Sequence, residues 1–77
     1  MQYSNFGKFI HNKRESLNPK PSLNSFAIEN GIEPATLSRI ENCKQGIKLN
    51  DVGKIANGFN MLASELLKEY ESKFNLK

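Results

Sequence analysis

The chain has 77 residues, 38% hydrophobic and 25% charged, with a formal net charge of +3. That composition fits one small soluble globular domain, able to bury about two-thirds of its unfolded surface. One cysteine (Cys43) and one histidine (His11) exclude an internal disulfide and supply too few soft ligands for a structural zinc site. No apolar run reaches membrane-spanning length and the first residues lack a signal-peptide core, so the cytoplasm is the expected compartment. The positive excess falls in residues 1–62, with eight Lys/Arg against five Asp/Glu, whereas residues 63–77 carry three lysines and three glutamates. Many small domains are this basic, so charge alone names no partner.

In chain order, Ser4 or Asn5 can cap a first helix over residues 5–16, with Phe6, Phe9, Ile10 and Leu17 as its apolar stripe. Lys8, His11, Lys13 and Glu15 fall mostly outside that stripe. Gly7, in the first turn, weakens the helix and predicts a close approach of another backbone. Asn18-Pro19-Lys20-Pro21 stops the helix in an exposed loop. Ser22 caps a second helix over 23–30, and Pro34 opens a third over 34–42. Between them Gly31 supplies the left-handed turn, a conformation that costs most other residues ~1–2 kcal/mol. Small Ala27 lets the two helices cross closely. Phe26, Ile32, Leu37 and Ile40 point inward; Ala35, Thr36, Ser38, Arg39 and Asn42 are left facing out. A loop with two lysines, residues 43–48, leads to a fourth helix over 49–59. Leu49, Val52, Ile55, Ala56 and Phe59 are spaced for its buried face, and Gly58 and Asn60 end it. A fifth helix over 63–72, extending to about 76, carries Leu66, Leu67, Tyr70 and Phe74. No run alternates like a strand, so the fold class is all-α, a bundle of five helices.

The ordered residues are similar to a known pattern. Phe6-Gly7, Ile10 and Arg14 on the first helix, Ala27 and Gly31 across the turn, Leu37-Ser38-Arg39-Ile40-Glu41 on the third, Ile55-Ala56 on the fourth and Ser64-Glu65-Leu66-Leu67 on the last resemble the lambda-repressor-like (Cro/cI-type, XRE family) helix-turn-helix domains. The resemblance covers residues 6–68 and implies a compact five-helix DNA-binding bundle with its helix-turn-helix at 23–42. Three features depart from the family pattern. The loop at Asn18–Pro21 is longer than usual. Leu23 stands where a polar residue normally opens the second helix against a phosphate, leaving Ser22 or Asn24 to substitute. Cys43 stands at the usual glycine after Glu41, leaving Asn42 to take the left-handed turn.

The resemblance implies a cytoplasmic transcriptional regulator, repressor or controller in type, that binds double-stranded DNA with the third helix in a major groove. Arg39 is its leading base reader, because a planar guanidinium matches the two acceptors of guanine. Ala35 and Thr36, near the start of that helix, can meet a thymine methyl, and Thr36 can also hydrogen-bond. Ser22, Asn24, Ser38, Asn42, Lys44, Gln45 and Lys48 are expected at phosphates, where they add affinity without sequence choice. Glu33 is read as a negative group at the positive end of the third helix, not as a contact. The resemblance further implies a salt bridge between Arg14 and Glu41, and pairing of two copies through the last helix, with Leu66, Leu67, Tyr70 and Phe74 as the dimer surface. The bland reading of those four is a core-packing helix.

His11 reads as a surface residue and Cys43 as a small loop residue. No cofactor, metal, membrane or small-molecule ligand is expected. An enzyme would need a nucleophile–base or carboxylate pair in a pocket, and none is apparent. The alternative keeps the fold as a protein-interaction adaptor or antitoxin, with a toxin or polymerase as partner and weak or lost specific DNA binding.

Overall fold

The computed structural model describes residues 5–73. It contains α1 (Phe6–Glu15), α2 (Leu23–Glu29), α3 (Pro34–Glu41), α4 (Leu49–Gly58) and α5 (Ala63–Lys73), with no strand among the described residues. The architecture is all-α. None of these helices is long and apolar enough to cross a membrane.

Three of the helices end in the same way. After α2, Gly31 adopts φ 75°; its N–H donates to the Ile28 carbonyl at 3.3 Å and that of Ile32 to the Ala27 carbonyl at 2.9 Å. This pair of reversed bonds satisfies carbonyls that the helix itself leaves open. After α4, Asn60 (φ 59°) takes the same place, with Met61 N–H donating to the Ala56 carbonyl at 2.9 Å. Gly58 stays inside α4, where a Cβ would come within 2.6 Å of the Phe26 ring. After α3 the left-handed residue is Cys43 (φ 60°), which corrects the expectation for Asn42. Asn42 remains at φ −92°, and its side-chain amide folds back to donate to the Ser38 carbonyl at 2.8 Å. The reversal is therefore displaced one residue along the chain. At the helix starts, the Ser22 hydroxyl caps α2 by accepting from Ser25 N–H, and the Glu65 carboxylate accepts from Leu62 N–H ahead of α5.

The core gathers the inward stripes of all five helices: Phe6, Phe9 and Ile10; Phe26 and Ala27; Ile32 and Leu37; Val52, Ile55 and Ala56; Leu66 and Tyr70. Tyr70 meets Phe6 and Phe9 edge to face, at 5.1 and 5.4 Å between ring centroids. This corrects the dimer surface for two residues. Leu66 (0% exposed) and Tyr70 (2%) are consumed by the core of their own chain and have no side-chain surface to offer a second copy. Leu67 is partly buried, and Phe74 lies outside the described residues. Leu49 is also corrected. It is 79% exposed, because Ile47 in the preceding loop packs against the core in its stead. Lys13 is less peripheral than its position outside the stripe suggests: its ammonium bonds both carboxylate oxygens of Glu69 at 3.0 Å and lies 5.2 Å above the Phe59 ring.

Gly7 shows the tightest approach. A Cβ there would fall 1.8 Å from the Ile40 carbonyl oxygen, so α1 and α3 touch backbone to backbone. Around Gly53, in the middle of α4, nothing would lie within 4 Å of a Cβ. The same substitution at the two sites is expected to act in opposite directions. Gly53→Ala gains helix propensity and stabilises by about 0.5–1 kcal/mol. Gly7→Ala must force two backbones apart and destabilises by about 1–3 kcal/mol or more despite the same propensity gain. Urea denaturation followed by far-ultraviolet circular dichroism reads both signs.

Candidate nucleic-acid interface

α3 separates its residues by face. Leu37 and Ile40 are buried, while Ala35 and Arg39 are exposed and Thr36 and Ser38 half-exposed. Helical spacing puts Ala35, Thr36, Arg39 and Asn42 on one outward strip. The loop that follows continues the strip with Lys44 and Lys48, both exposed, and Gln45, half-buried. Hydrogen bonds tie three of these together: Arg39 Nε donates to Gln45 Oε1 at 2.5 Å, and Arg39 Nη2 to Thr36 Oγ1 at 3.4 Å. Asn42 is joined to Ser38 instead, through both its carbonyl and its hydroxyl. Ser22 and Asn24 are exposed at the start of α2, and no hydrogen bond links them to this group among the described residues. The Ser22 oxygen is already occupied in capping. Glu33 is the exposed residue preceding α3 and makes no side-chain cap bond, consistent with a purely electrostatic role at that end.

Charge is sorted along with polarity. Between Pro34 and Asn50 the sequence contains one acidic residue, Glu41, against Arg39, Lys44 and Lys48. Glu41 points inward. Its carboxylate accepts from Arg14 Nε and Nη2 at 2.8 Å each, with both side chains almost wholly buried (5% and 2% exposed). This is the expected salt bridge, in the two-pronged geometry that gives guanidinium–carboxylate pairs their directionality. Arg14 Nη1 also donates to the Pro21 carbonyl at 3.1 Å, so one side chain joins α1, the loop before α2 and the end of α3. The hydrogen bond to Glu41, opposed by burial, raises the guanidinium pKa further above its ordinary value.

The bridge has a third member. His11 Nδ1 lies 2.8 Å from Glu41 Oε1, and the ring is 45% exposed. A carboxylate engaged by arginine only accepts, so Nδ1 carries the donated proton. His11 thus stands at the surface of α1, as its position predicts, and is in addition tied to the bridge, which was not expected of it. The signal was present: Gly7, His11 and Arg14 are four and three residues apart and share one face of α1, the face seated on Ile40 and Glu41. Lys20, in the loop, is committed to Glu15 at 3.2 Å, a bond that lowers the pKa of that carboxyl.

Beside the end of α3 lies an open groove of about 690 Å³, lined chiefly by Phe6, Ile40, Ile47, Leu49, Val52 and Leu67. Cys43, a free and exposed thiol, sits on its wall. Among the described residues, no group of three or more His, Cys, Asp or Glu is placed to hold a metal ion.

The buried bridge sets an expectation for stability. Glu41→Gln removes the buried counterion of Arg14 and leaves it only the more exposed Glu15 carboxylate at 3.4 Å, and should cost about 3–5 kcal/mol, close to the whole stability of a small domain. The double substitution Arg14→Met with Glu41→Leu removes both charges and should recover most of that loss. His11→Ala, at a half-exposed site, should stay within about 1 kcal/mol. Thermal and urea unfolding of the three variants measure these differences.

No protein-family model matches the chain, and neither a curated protein nor a solved structure is significantly similar to it.

Proposed function

We propose that the chain is a sequence-specific, double-stranded DNA-binding transcriptional regulator with a lambda-repressor-like fold, in which α2 and α3 form the helix-turn-helix and α3 enters the major groove. One observation carries this reading. The outward strip of α3 and the loop after it present Arg39, Lys44 and Lys48 beside Thr36, Gln45 and Ala35, while the only carboxylate of that stretch is buried against Arg14. A polyanion meets no negative side chain from this stretch, and a base edge meets a guanidinium fork. In this reading Arg39, Thr36 and Ala35 address bases. Lys44, Lys48 and Gln45 address phosphates, with Ser22, Asn24, Ser38 and Asn42 as further backbone partners.

The regulator acts as a homodimer on a palindromic site, its two α3 helices one duplex turn apart, about 34–36 Å. Leu66 and Tyr70 are not available for that pairing. Leu67, and Phe74 beyond the described residues, remain from the expected surface. One observation favours the second reading, a protein-interaction adaptor or antitoxin: the apolar groove beside α3, with Leu49 standing exposed at its edge.

Selection of binding sites from a random duplex pool, followed by titration at two salt concentrations, tests the proposal. A regulator yields an enriched sequence bound at least ~10³-fold more tightly than random duplex. Arg39→Ala should relax preference at one base pair by about 1–3 kcal/mol, whereas Lys44→Ala and Lys48→Ala should weaken all sequences alike and each reduce the salt slope by about one. Equal affinity for enriched and random duplexes overturns the regulator and leaves the adaptor.

A further inference from the structure

Arg39 does not project as a free side chain. Its Nε–H is held by Gln45 Oε1 and its Nη2 by Thr36 Oγ1, one partner in the loop and one a turn back on α3. A guanidinium can only donate, so the amide atom facing it must be the oxygen. The amide nitrogen of Gln45 is thereby turned away from Arg39, carrying two N–H donors. Of the five guanidinium N–H groups three are left over, both on Nη1 and one on Nη2, and the Nη1/Nη2 end is a two-pronged edge suited to the paired acceptors of a guanine. Holding Nε fixes the plane of the group, and a planar reader held in plane has less freedom to lose on binding.

The backbone explains why Gln45 can reach. Cys43 turns left-handed (φ 60°), and Lys44 N–H donates to the Arg39 carbonyl at 2.8 Å. The chain is thus folded back on the last turn of α3, and the next residue, Gln45, comes alongside the Arg39 side chain.

We infer that Gln45 is a positioning residue for base readout. Its amide oxygen aims the Arg39 guanidinium while its amide N–H groups take a phosphate oxygen, so that register on the DNA backbone and orientation of the reader are coupled through one side chain. This rests on the DNA-binding reading and adds to it a specificity role for a residue that would otherwise only contribute affinity.

Two measurements test it with Gln45→Ala and Gln45→Glu, both in an accessible loop where folding should survive. In the free protein, the Arg39 Nε–H resonance in a nitrogen-15 spectrum should be shifted and protected from solvent exchange. Gln45→Ala should move it to the position of an unbonded arginine, and Gln45→Glu, which keeps an acceptor oxygen, should retain the protection. On the selected duplex, Gln45→Ala should reduce discrimination at the base pair read by Arg39 by roughly two- to fourfold, a fraction of what losing the reader itself costs. Gln45→Glu should keep that discrimination while binding every duplex more weakly, since a carboxylate repels phosphate. An unchanged Arg39 resonance in Gln45→Ala overturns the inference whether or not the protein binds DNA. So does uniform weakening with discrimination intact, which would make Gln45 a phosphate contact only. Should the wild-type protein prefer no sequence, the regulator reading falls and the specificity role with it, while the resonance still reports whether Gln45 holds Arg39.

Discussion

The fold turns on the buried pair between Arg14 and Glu41. Taking two charges out of water costs several kcal/mol for each, and their attraction roughly repays this, so the pair is a weak source of net stability. What it supplies is geometry. A two-pronged bond tolerates little rotation, and here both prongs are engaged while the remaining arm of Arg14 holds the Pro21 carbonyl. Three chain segments are thereby fixed at one point. One residue before Glu41 on α3, and two turns back from Arg14 along α1, the missing side chain of Gly7 lets the Ile40 carbonyl come into contact. The C-terminal half of α3 is clamped by a charge pair and a backbone contact; its N-terminal half is placed by the Gly31 turn and by Leu37 in the core.

The same pair shapes the outer surface. Glu41 is the only acidic residue from Pro34 to Asn50, and drawing its carboxylate inward removes negative charge from the stretch that displays Arg39, Lys44 and Lys48. The bond that orients α3 is thus also the reason the exposed side of this stretch carries no negative side chain. Neither effect requires many residues, which suits a chain with so small a core.

How much of this could be read beforehand depends on the range of each interaction. The five helices, the Gly31 turn, the Ser22 cap and the close approach at Gly7 follow from local rules: periodicity, capping and the cost of a Cβ. The Arg14–Glu41 bond, 27 residues apart, came from family resemblance and not from spacing. Where competition between neighbours decides the outcome, the sequence misleads. Leu49 fits the buried stripe of α4 by periodicity, but Ile47 reaches the core first. Asn42 and Cys43 can each turn left-handed, and the choice falls to Cys43 because the Asn42 amide finds the Ser38 carbonyl. Leu66 and Tyr70 carry the same apolar signal whether they serve a core or an interface, and only the packing of Tyr70 on Phe6 and Phe9 distinguishes the two. The bond from Arg39 to Gln45 leaves no trace in the sequence, since it depends on the path of a loop.

That loop path ties the interior to the surface. A non-glycine residue in the left-handed region carries a strain of ~1–2 kcal/mol, and Cys43 bears it where a glycine would not. Its thiol lies against the spot that Gly7 leaves open, 3.4 Å from where a Cβ would stand. The turn is therefore braced by the same contact between α1 and α3 that the ion pair secures, and from it the chain leads back to Gln45 and the guanidinium of Arg39. The clamped end of α3, the turn and the Arg39–Gln45 bond thus form one continuous run of contacts. In a bundle of this size the exposed face of α3 is not a decoration on a finished core; its outermost hydrogen bond is linked to the innermost charge pair through one strained residue.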